Sequence, residues 1–242
     1  VAPNARIAAL DVFSGGTASS SDILSAINWC IANRATYNIV AINMSLGGGR
    51  YYNAISPTDS VGLALQNARN AGIATVVASG NEAYTDSIAW PAAYNNVVSV
   101  GAVYDSAFGS IGYGGCSDAT TAADKVTCFS NSASFLSMLA PGASINAGAI
   151  AMSGTSQAAP HVAGAVAVLA AAHPAENTNT RIGRLAQGVA VTDTRNGISK
   201  PRLDLAEAVA IADPGPEPDH GDCATTNCSE SYGGWRIGLG LR

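Results

Sequence analysis

Residues 154–164 read Gly-Thr-Ser-Gln-Ala-Ala-Pro-His-Val-Ala-Gly and lead directly into an apolar run that ends near residue 172. This stretch predicts a helix over 156–172, because Val162, Val166 and Leu169 recur at helical spacing. Ser156 stands at the predicted helix start, where serine is most often an N-cap. A serine there can also act as a nucleophile, because the free N–H groups and the positive end of the helix dipole stabilise the oxyanion that its attack creates.

Short apolar segments alternate with amphipathic helices through the rest of the chain. The predicted strands cover 6–13, 39–45, 75–78 and 97–103, and the further predicted helices begin near Ser20 and Thr58 and cover 181–188 and 205–211. Apolar runs without polar alternation, joined by helices, are typical of buried parallel strands. We therefore expect an α/β fold with a doubly wound, mostly parallel sheet and helices on both faces.

The composition excludes several classes of protein. The 242 residues are 48% hydrophobic and only 12% charged, which excludes general disorder. Twelve Lys and Arg against 17 Asp and Glu provide no basic stretch for phosphates, so we expect no nucleic-acid partner. The small, apolar run 162–172 is too short to span a bilayer, so we expect no membrane partner and a soluble protein.

A change in composition divides the chain in two. Alternating prolines at positions 214, 216 and 218 disfavour a helix and are typical of an extended linker. We expect one domain over residues 1–213, followed by a Pro-rich linker and a short Cys-containing tail over 214–242.

Five cysteines make an odd count. Cys30 lies on the apolar face of a predicted helix and is expected to be a buried free thiol. Cys116 and Cys128 bracket a loop that a disulfide can close, and Cys223 and Cys228 can close a small ring in the tail. Either bridge would indicate an oxidising compartment.

Three segments together resemble the subtilisin-like serine peptidases, the subtilases. Residues 154–164 resemble the serine signature of that family, with Gln157 where the family often has Met. Residues 78–82 (Ala-Ser-Gly-Asn-Glu) and 42–48 (Ile-Asn-Met-Ser-Leu-Gly-Gly) match two further family motifs in order and spacing. Residues 1–3 resemble the segment that follows the family's histidine helix, and Trp90-Pro91 matches an aromatic-Pro pair that is sometimes cis.

The resemblance implies roles for individual residues. It implies that Ser156 is the nucleophile, and that the side-chain amide of Asn81 and the backbone N–H of Ser156 form the oxyanion hole. From the residues alone, an Asn that follows Gly at a strand end is ordinarily a turn residue. The implied substrate-binding residues are the edge that pairs with an extended peptide and part of an apolar primary pocket: Ser45, Leu46, Gly47, Ser79, Gly80 and Ala89.

The family's Asp-[Ser/Thr]-Gly and His-Gly-Thr-His motifs, which supply the orienting carboxylate and the general base, do not occur in this sequence. His161 points roughly 140° around the helix from Ser156, His173 lies at a helix end, and His220 lies in the Pro-rich linker. We therefore expect the C-terminal portion of a subtilase catalytic domain, whose Asp and His lie in a segment outside these 242 residues.

These features predict a secreted serine endopeptidase that hydrolyses peptide bonds through an acyl-enzyme on Ser156, with peptides or proteins as substrates. The alternative is a catalytically inactive fragment or pseudo-enzyme that binds extended peptides. An α/β-hydrolase esterase is excluded because Ala158 stands where its nucleophile elbow needs Gly.

No cofactor is expected to be required, and no metal ligand is predicted. Some subtilases bind calcium through carbonyls near the segment that matches 92–97, helped by an Asp. Because that Asp position is Ser137 here, the sequence gives little support for a structural calcium.

Overall fold

The computed structural model describes residues 1–212. The predicted linker and tail from residue 214 onward, with His220, Cys223 and Cys228, lie outside the described residues. Within residues 1–212, none of the helices combines the length and the apolar composition needed to cross a membrane.

The described chain contains five helices. These are α1 (Ser20–Tyr37), α2 (Ser60–Asn70), α3 (Thr155–Ala172), α4 (Thr178–Leu185) and α5 (Leu205–Ala210). The strands in chain order are β1 (Phe13–Ser14), β2 (Thr17–Ala18), β3 (Ala41–Met44), β4 (Gly48–Tyr51), β5 (Ala74–Ala78), β6 (Ile88–Trp90), β7 (Val98–Val103), β8 (Ile111–Gly112), β9 (Ser117–Asp118), β10 (Met138–Pro141), β11 (Ile145–Ala147), β12 (Ile150–Met152), β13 (Ala190–Thr192) and β14 (Ser199–Pro201).

Four strands form the central sheet in the order β10-β7-β5-β3, and every neighbouring pair is parallel. All residues of β5 and β7 are buried, as expected for strands that are covered on both faces. Val77 packs into a core with α1 and α2, whereas Val76 packs into a second core with α3, α4 and α5. The predicted doubly wound α/β fold is confirmed.

Helices α1 and α2 begin within two residues of the starts predicted near Ser20 and Thr58. The side chain of Ser19 accepts a hydrogen bond from the N–H of Asp22 at the start of α1. The Asp59 carboxylate accepts from the N–H groups of Val61 and Gly62 at the start of α2. The predicted helix over 181–188 begins earlier, at Thr178, because the side chain of Asn177 caps it.

The strand predicted over residues 6–13 is wrong for most of its length. Residues 6–12 have no regular secondary structure, and only Phe13 enters a strand, the two-residue β1. An apolar pattern shows that a segment suits a pleated surface, but a strand also needs a partner for its hydrogen bonds. Ile7 is 89% exposed, and in residues 1–212 the sheet ends at β3.

Two expectations for the cysteines agree with the structure. Cys116 and Cys128 form a disulfide with a Cα–Cα distance of 5.9 Å, and Cys30 is a buried free thiol. The Trp90-Pro91 peptide bond is cis.

Candidate functional site

Ser156 is the second residue of α3, which packs across all four strands of the central sheet. Ala158, Ala159 and Val162 are fully buried against that sheet, whereas Ser156 is half-buried. The N-cap residue of α3 is Gly154, so Ser156 is not the cap that its position first suggested. Its N–H belongs to the first turn, where helical N–H groups have no intrahelical acceptor.

Asn81 supplies the cap that Gly154 lacks, from the loop that follows β5. The Oδ1 of Asn81 accepts hydrogen bonds from the N–H of Thr155 at 2.8 Å and from the Thr155 hydroxyl at 3.1 Å. The Thr155 hydroxyl oxygen in turn accepts from the N–H of Gly80 at 3.1 Å. These bonds use the oxygen of the Asn81 amide, and within residues 1–212 its Nδ2 donates to no acceptor. The amide N–H₂ is thus available beside the start of α3.

A buried asparagine, Asn131, holds the loop that carries Asn81. Its Oδ1 accepts from the N–H groups of Glu82 and Tyr84, each at 3.0 Å. Its Nδ2 donates to the carbonyl of Ser79 at 3.1 Å and to the Glu82 carboxylate at 2.6 Å. Gly80 has φ +107°, and a Cβ there would lie 2.2 Å from the Asn131 amide, so this backbone path requires glycine.

The predicted substrate edge lies against the start of α3. The hydroxyl of Ser45 donates to the backbone carbonyl of Ser156 at 2.8 Å, and Asn43 Nδ2 donates to the Ser45 hydroxyl at 3.0 Å. Gly47 approaches β6 so closely that a Cβ would lie 2.8 Å from the carbonyl oxygen of Trp90. The structure therefore brings residues 45–47 to the same site as Ser156.

The predicted pocket residues are connected to one another. The N–H of Ala89 donates to the carbonyl of Ser79 at 2.9 Å. The Cβ of Ala89 lies 3.2 Å from the position that a Cβ of Gly80 would take. Ser79, Gly80 and Ala89 thus pack together between β5 and β6, and Ser79 and Ala89 are buried.

Sequence patterns assigned no role to Asn43 or Asn131. Asn43 lies inside the motif over 42–48 without an assigned role of its own, and Asn131 lies outside the three motifs. A polar amide beside apolar segments indicates a hydrogen-bonding role, because a buried amide needs hydrogen-bond partners. Those partners lie up to 52 residues away along the chain, so the pattern alone does not identify them.

The two histidines in residues 1–212 are bonded away from the Ser156 hydroxyl. Nδ1–H of His161 donates to the carbonyl of Gln157, one turn back on α3, at 2.8 Å. The ring of His173, at the far end of α3, contacts the carbonyl of Val209 through Nε2 at 3.2 Å. Neither arrangement makes that histidine a base for Ser156.

The residues suggested for calcium do not fit that ion. The Ser137 hydroxyl accepts from the N–H of Ser99 at 3.1 Å and lies 3.1 Å from its hydroxyl, and no carboxylate takes part. In the described part of the chain, three or more His, Cys, Asp or Glu side chains nowhere converge as metal ligands would.

A cavity of about 330 Å³ opens between the starts of α1 and α2 and Trp90, the first residue of the cis peptide bond. Asp59, Tyr94 and Trp90 line it. The Tyr94 hydroxyl donates to Asp59, and this hydrogen bond lowers the pKa of the Asp59 carboxyl. Burial, together with the same bond, raises the pKa of Tyr94 to about 12. This wall of the cavity therefore carries a carboxylate at neutral pH.

The fold and the serine helix define the class of protein to which this chain is similar. Residues 1–227 match the model of the subtilase family. Subtilisin E of Bacillus subtilis (strain 168) is 36% identical over 185 residues, which cover 72% of this chain and 41% of that protein. The alkaline proteinase of Hapsidospora chrysogena is 35% identical over 181 residues, which cover 71% of this chain and 39% of that protein.

A solved structure gives the same result. The crystal structure of a cold adapted subtilisin-like serine proteinase superposes with a TM-score of 0.59 at 28% identity, and the match covers 77% of this chain and 62% of the other. The chain belongs to the subtilase family. It spans less than half the length of the two curated relatives described above.

Proposed function

We propose that this protein is the part of a serine endopeptidase that carries the nucleophile and the oxyanion hole. The Ser156 Oγ attacks the carbonyl carbon of a peptide bond and the C–N bond breaks, so that the acyl part is left on Ser156. Water then hydrolyses the ester and regenerates the hydroxyl. The start of α3 supports this role, because neither the Ser156 N–H nor the Asn81 Nδ2 donates a hydrogen bond within residues 1–212.

The observation that carries the proposal is the pair of hydrogen bonds from Thr155 to Asn81 Oδ1. By fixing the oxygen of the amide, they fix the direction of its Nδ2 donor. A donor that is oriented before the reaction stabilises the developing oxyanion without reorganisation.

A serine hydroxyl also needs a general base and a group that orients the base. We propose that both come from a histidine and an aspartate in a segment outside residues 1–242. His161 and His173 are bonded elsewhere, which supports this source. The reaction itself requires no cofactor.

The substrate is proposed to be an extended peptide. Its acyl part would run along Ser45, Leu46 and Gly47 as an added strand, since backbone pairing at an edge tolerates many sequences. The peptide side chain on the acyl side of the scissile bond would enter the proposed apolar pocket at Ser79, Gly80 and Ala89. The disulfide between Cys116 and Cys128 supports an extracellular location.

The second candidate function is a catalytically inactive peptide binder that uses the same edge. Within residues 1–212, β3 pairs in the central sheet only with β5, which favours this candidate because an unpaired edge can accept a peptide strand without any chemistry.

Labelling with a fluorophosphonate probe separates the two functions. We expect the full chain to be labelled at Ser156 when it is combined with the Asp- and His-bearing segment of a subtilisin relative, and not labelled without that segment. The Ser156→Ala variant is the matched control and should remain unlabelled. Absence of labelling in the combined protein, with peptide binding retained, would contradict the peptidase and favour the binder.

A further inference from the structure

Residues 193–198 form the turn between β13 and β14, and hydrogen bonds within the turn fix its shape. The N–H of Asp193 donates to the carbonyl of Ile198 at 2.8 Å. The side-chain Oδ1 of Asn196 accepts from the N–H of Ile198 at 2.9 Å. Because its oxygen is bonded within the turn, the Asn196 amide has a set orientation.

The nitrogen of the same amide joins two segments near the proposed oxyanion hole. The Asn196 Nδ2 donates to the carbonyl of Thr85 at 2.8 Å and to the Ser132 hydroxyl at 3.0 Å. Thr85 lies in the loop that carries the proposed oxyanion donor, which we call the donor loop (residues 79–87). Ser132 lies in the segment that holds this loop, which we call the support segment (residues 128–132). One side chain thus ties the donor loop to its support.

Arg195 holds the backbone of the support segment. Its Nη1 donates to the carbonyl of Cys128 at 2.7 Å and its Nη2 to the carbonyl of Ser130 at 2.8 Å. The buried Asp193 carboxylate accepts from Nε at 2.9 Å and from Nη2 at 2.7 Å. Burial raises the pKa of Asp193, but the hydrogen bonds from Arg195 hold it below its ordinary value. The guanidinium therefore keeps its counter-charge and one orientation over the two carbonyls.

The support segment is in turn bonded to the backbone beside Asn81. The N–H of Asn131 donates to the carbonyl of Gly80 at 3.0 Å, so a shift of the support segment moves the residue next to the donor. Among the described residues, none of the hydrogen bonds of the turn reaches Asn81 or Ser156 themselves. The turn is therefore connected to the site through the donor loop and the support segment.

We propose that Asn196 and Arg195 are positioning residues, and that their turn sets where the Asn81 amide lies beside Ser156. The proposal rests on the proposed function, in which the Asn81 Nδ2 donates to the oxyanion. Such a donor is effective because it is oriented before the charge develops. A misplacement of about 1 Å can cost about 10²-fold in rate, so contacts that restrain the donor loop affect the reaction without touching the substrate.

Two variants of Asn196 release the donor loop, and a third variant is the matched control. Asn196→Asp keeps an oxygen for the N–H of Ile198 but has no N–H to donate to the carbonyl of Thr85. Asn196→Ala removes both bonds without adding a charge. The control, Ser199→Ala, removes the hydrogen bond to the Thr192 hydroxyl across the same hairpin and leaves the contacts of the donor loop intact.

The first experiment observes the Asn81 amide in the full chain labelled with ¹⁵N. Its two side-chain N–H cross-peaks are assigned by their loss in Asn81→Asp. We expect both Asn196 variants to shift or broaden these peaks and Ser199→Ala to leave them in place. Peaks that stay unchanged in both Asn196 variants would overturn the proposal.

The second experiment measures fluorophosphonate labelling of Ser156 in the protein combined with the Asp- and His-bearing segment. Asn196→Asp should lower the maximal labelling rate about tenfold, with an unchanged reagent concentration at half the maximal rate. In an Asn81→Ala background it should have no further effect, because the positioned donor is already absent. An equal loss in both backgrounds would instead show that the turn contributes only general stability, which contradicts the proposal. A parent that is not labelled refutes the peptidase alone, and shifted amide peaks then still support the positioning role.

Discussion

Asn81 uses the two ends of one amide for two purposes. The oxygen caps α3 through Thr155, and among the described residues the nitrogen donates to no acceptor. A neighbouring residue at the helix N-terminus thus sets the direction of a proposed catalytic donor. Because the cap and the donor are different atoms, substitutions can separate the stability of the helix from the reactivity of the serine.

Asn81→Asp keeps an oxygen that caps Thr155 and removes the N–H donor. We expect its free energy of unfolding to stay within about 0.5 kcal/mol of the parent, since Asp and Asn are comparable caps. Fluorophosphonate labelling in the combined protein should slow by about 10²- to 10³-fold, a magnitude that comes from subtilisin itself.

Asn81→Ala is the comparison variant, because it removes the cap as well. It should lose about 1 kcal/mol in urea unfolding and show a comparable loss of labelling. If Asn81→Asp labels at the parental rate, Asn81 is not an oxyanion donor.

At the residue scale, the sequence predicts the serine and the Asn81 loop, because each lies in a contiguous motif at a strand or helix end. It does not predict Asn131 as the support of that loop. The hydrogen bonds of Asn131 reach Ser79 and Glu82 across about 50 residues, so only the folded chain shows them.

At the scale of elements, capping residues give the helix starts well, and an apolar pattern gives strands only where partners exist. Ser19 and Asp59 locate the starts of α1 and α2. Residues 6–12 have a strand-like composition but remain irregular. Local chemistry determines a cap, whereas pairing depends on what lies beside the segment.

Removal of the loop disulfide should destabilise the protein. The double variant Cys116→Ser/Cys128→Ser is expected to lose about 3 kcal/mol in urea unfolding, because the bridge restricts a short loop of the unfolded chain. A reductant should lower the midpoint of the parent but leave that of the double variant unchanged. Equal effects on both proteins would show that the stabilisation has another source.

At the scale of the whole molecule, a buried ion pair anchors the last helices. Arg184 and Glu176 meet at 2.5 Å, with side chains only 2% and 5% exposed. Arg184 also donates to the carbonyls of Ala208 and Ile211, at the end of the described chain. The pair thus joins α4 to the segment that includes α5.

Glu176→Gln should lower the free energy of unfolding by about 3 kcal/mol at pH 7, because it removes a carboxylate charge that lies against a buried guanidinium. The hydrogen bonds from Arg184 hold the pKa of Glu176 below its ordinary value of 4.5. The stabilisation is therefore complete above about pH 4.5 and is lost as the pH falls through the lower folded-state pKa.

Urea unfolding measured from pH 7 to pH 3 checks this dependence. The difference between parent and variant should narrow below about pH 4.5, and a constant difference would contradict the assignment. Asp86→Asn is the control, since the Arg50–Asp86 pair is largely exposed and should contribute little at any pH.

The segment before β1 exposes apolar side chains that should promote association of the chain. Ile7 and Leu10 are 89% and 37% exposed, and in the described chain the central sheet ends at β3. We expect the chain to bind a hydrophobic dye or to self-associate. Ile7→Ser/Leu10→Ser should reduce both effects, whereas Leu63→Ser, at a 51% exposed position on α2, should not. A monodisperse parent that binds no dye would contradict this expectation.

The sequence predicts the class of the sheet because β5 and β7 are uninterrupted apolar runs. It also predicts which helices carry the site. It does not predict the extent of the sheet, because the number of strands beside β3 depends on tertiary pairing that no single segment encodes.

One helix crosses every strand of the central sheet and has the candidate nucleophile near its tip. The reactivity of Ser156 should therefore depend on the folding of the entire core. In the combined protein, fluorophosphonate labelling of Ser156 during a denaturant titration should be lost at the same midpoint as the far-ultraviolet signal, so that the labelling measures cooperative unfolding of the core.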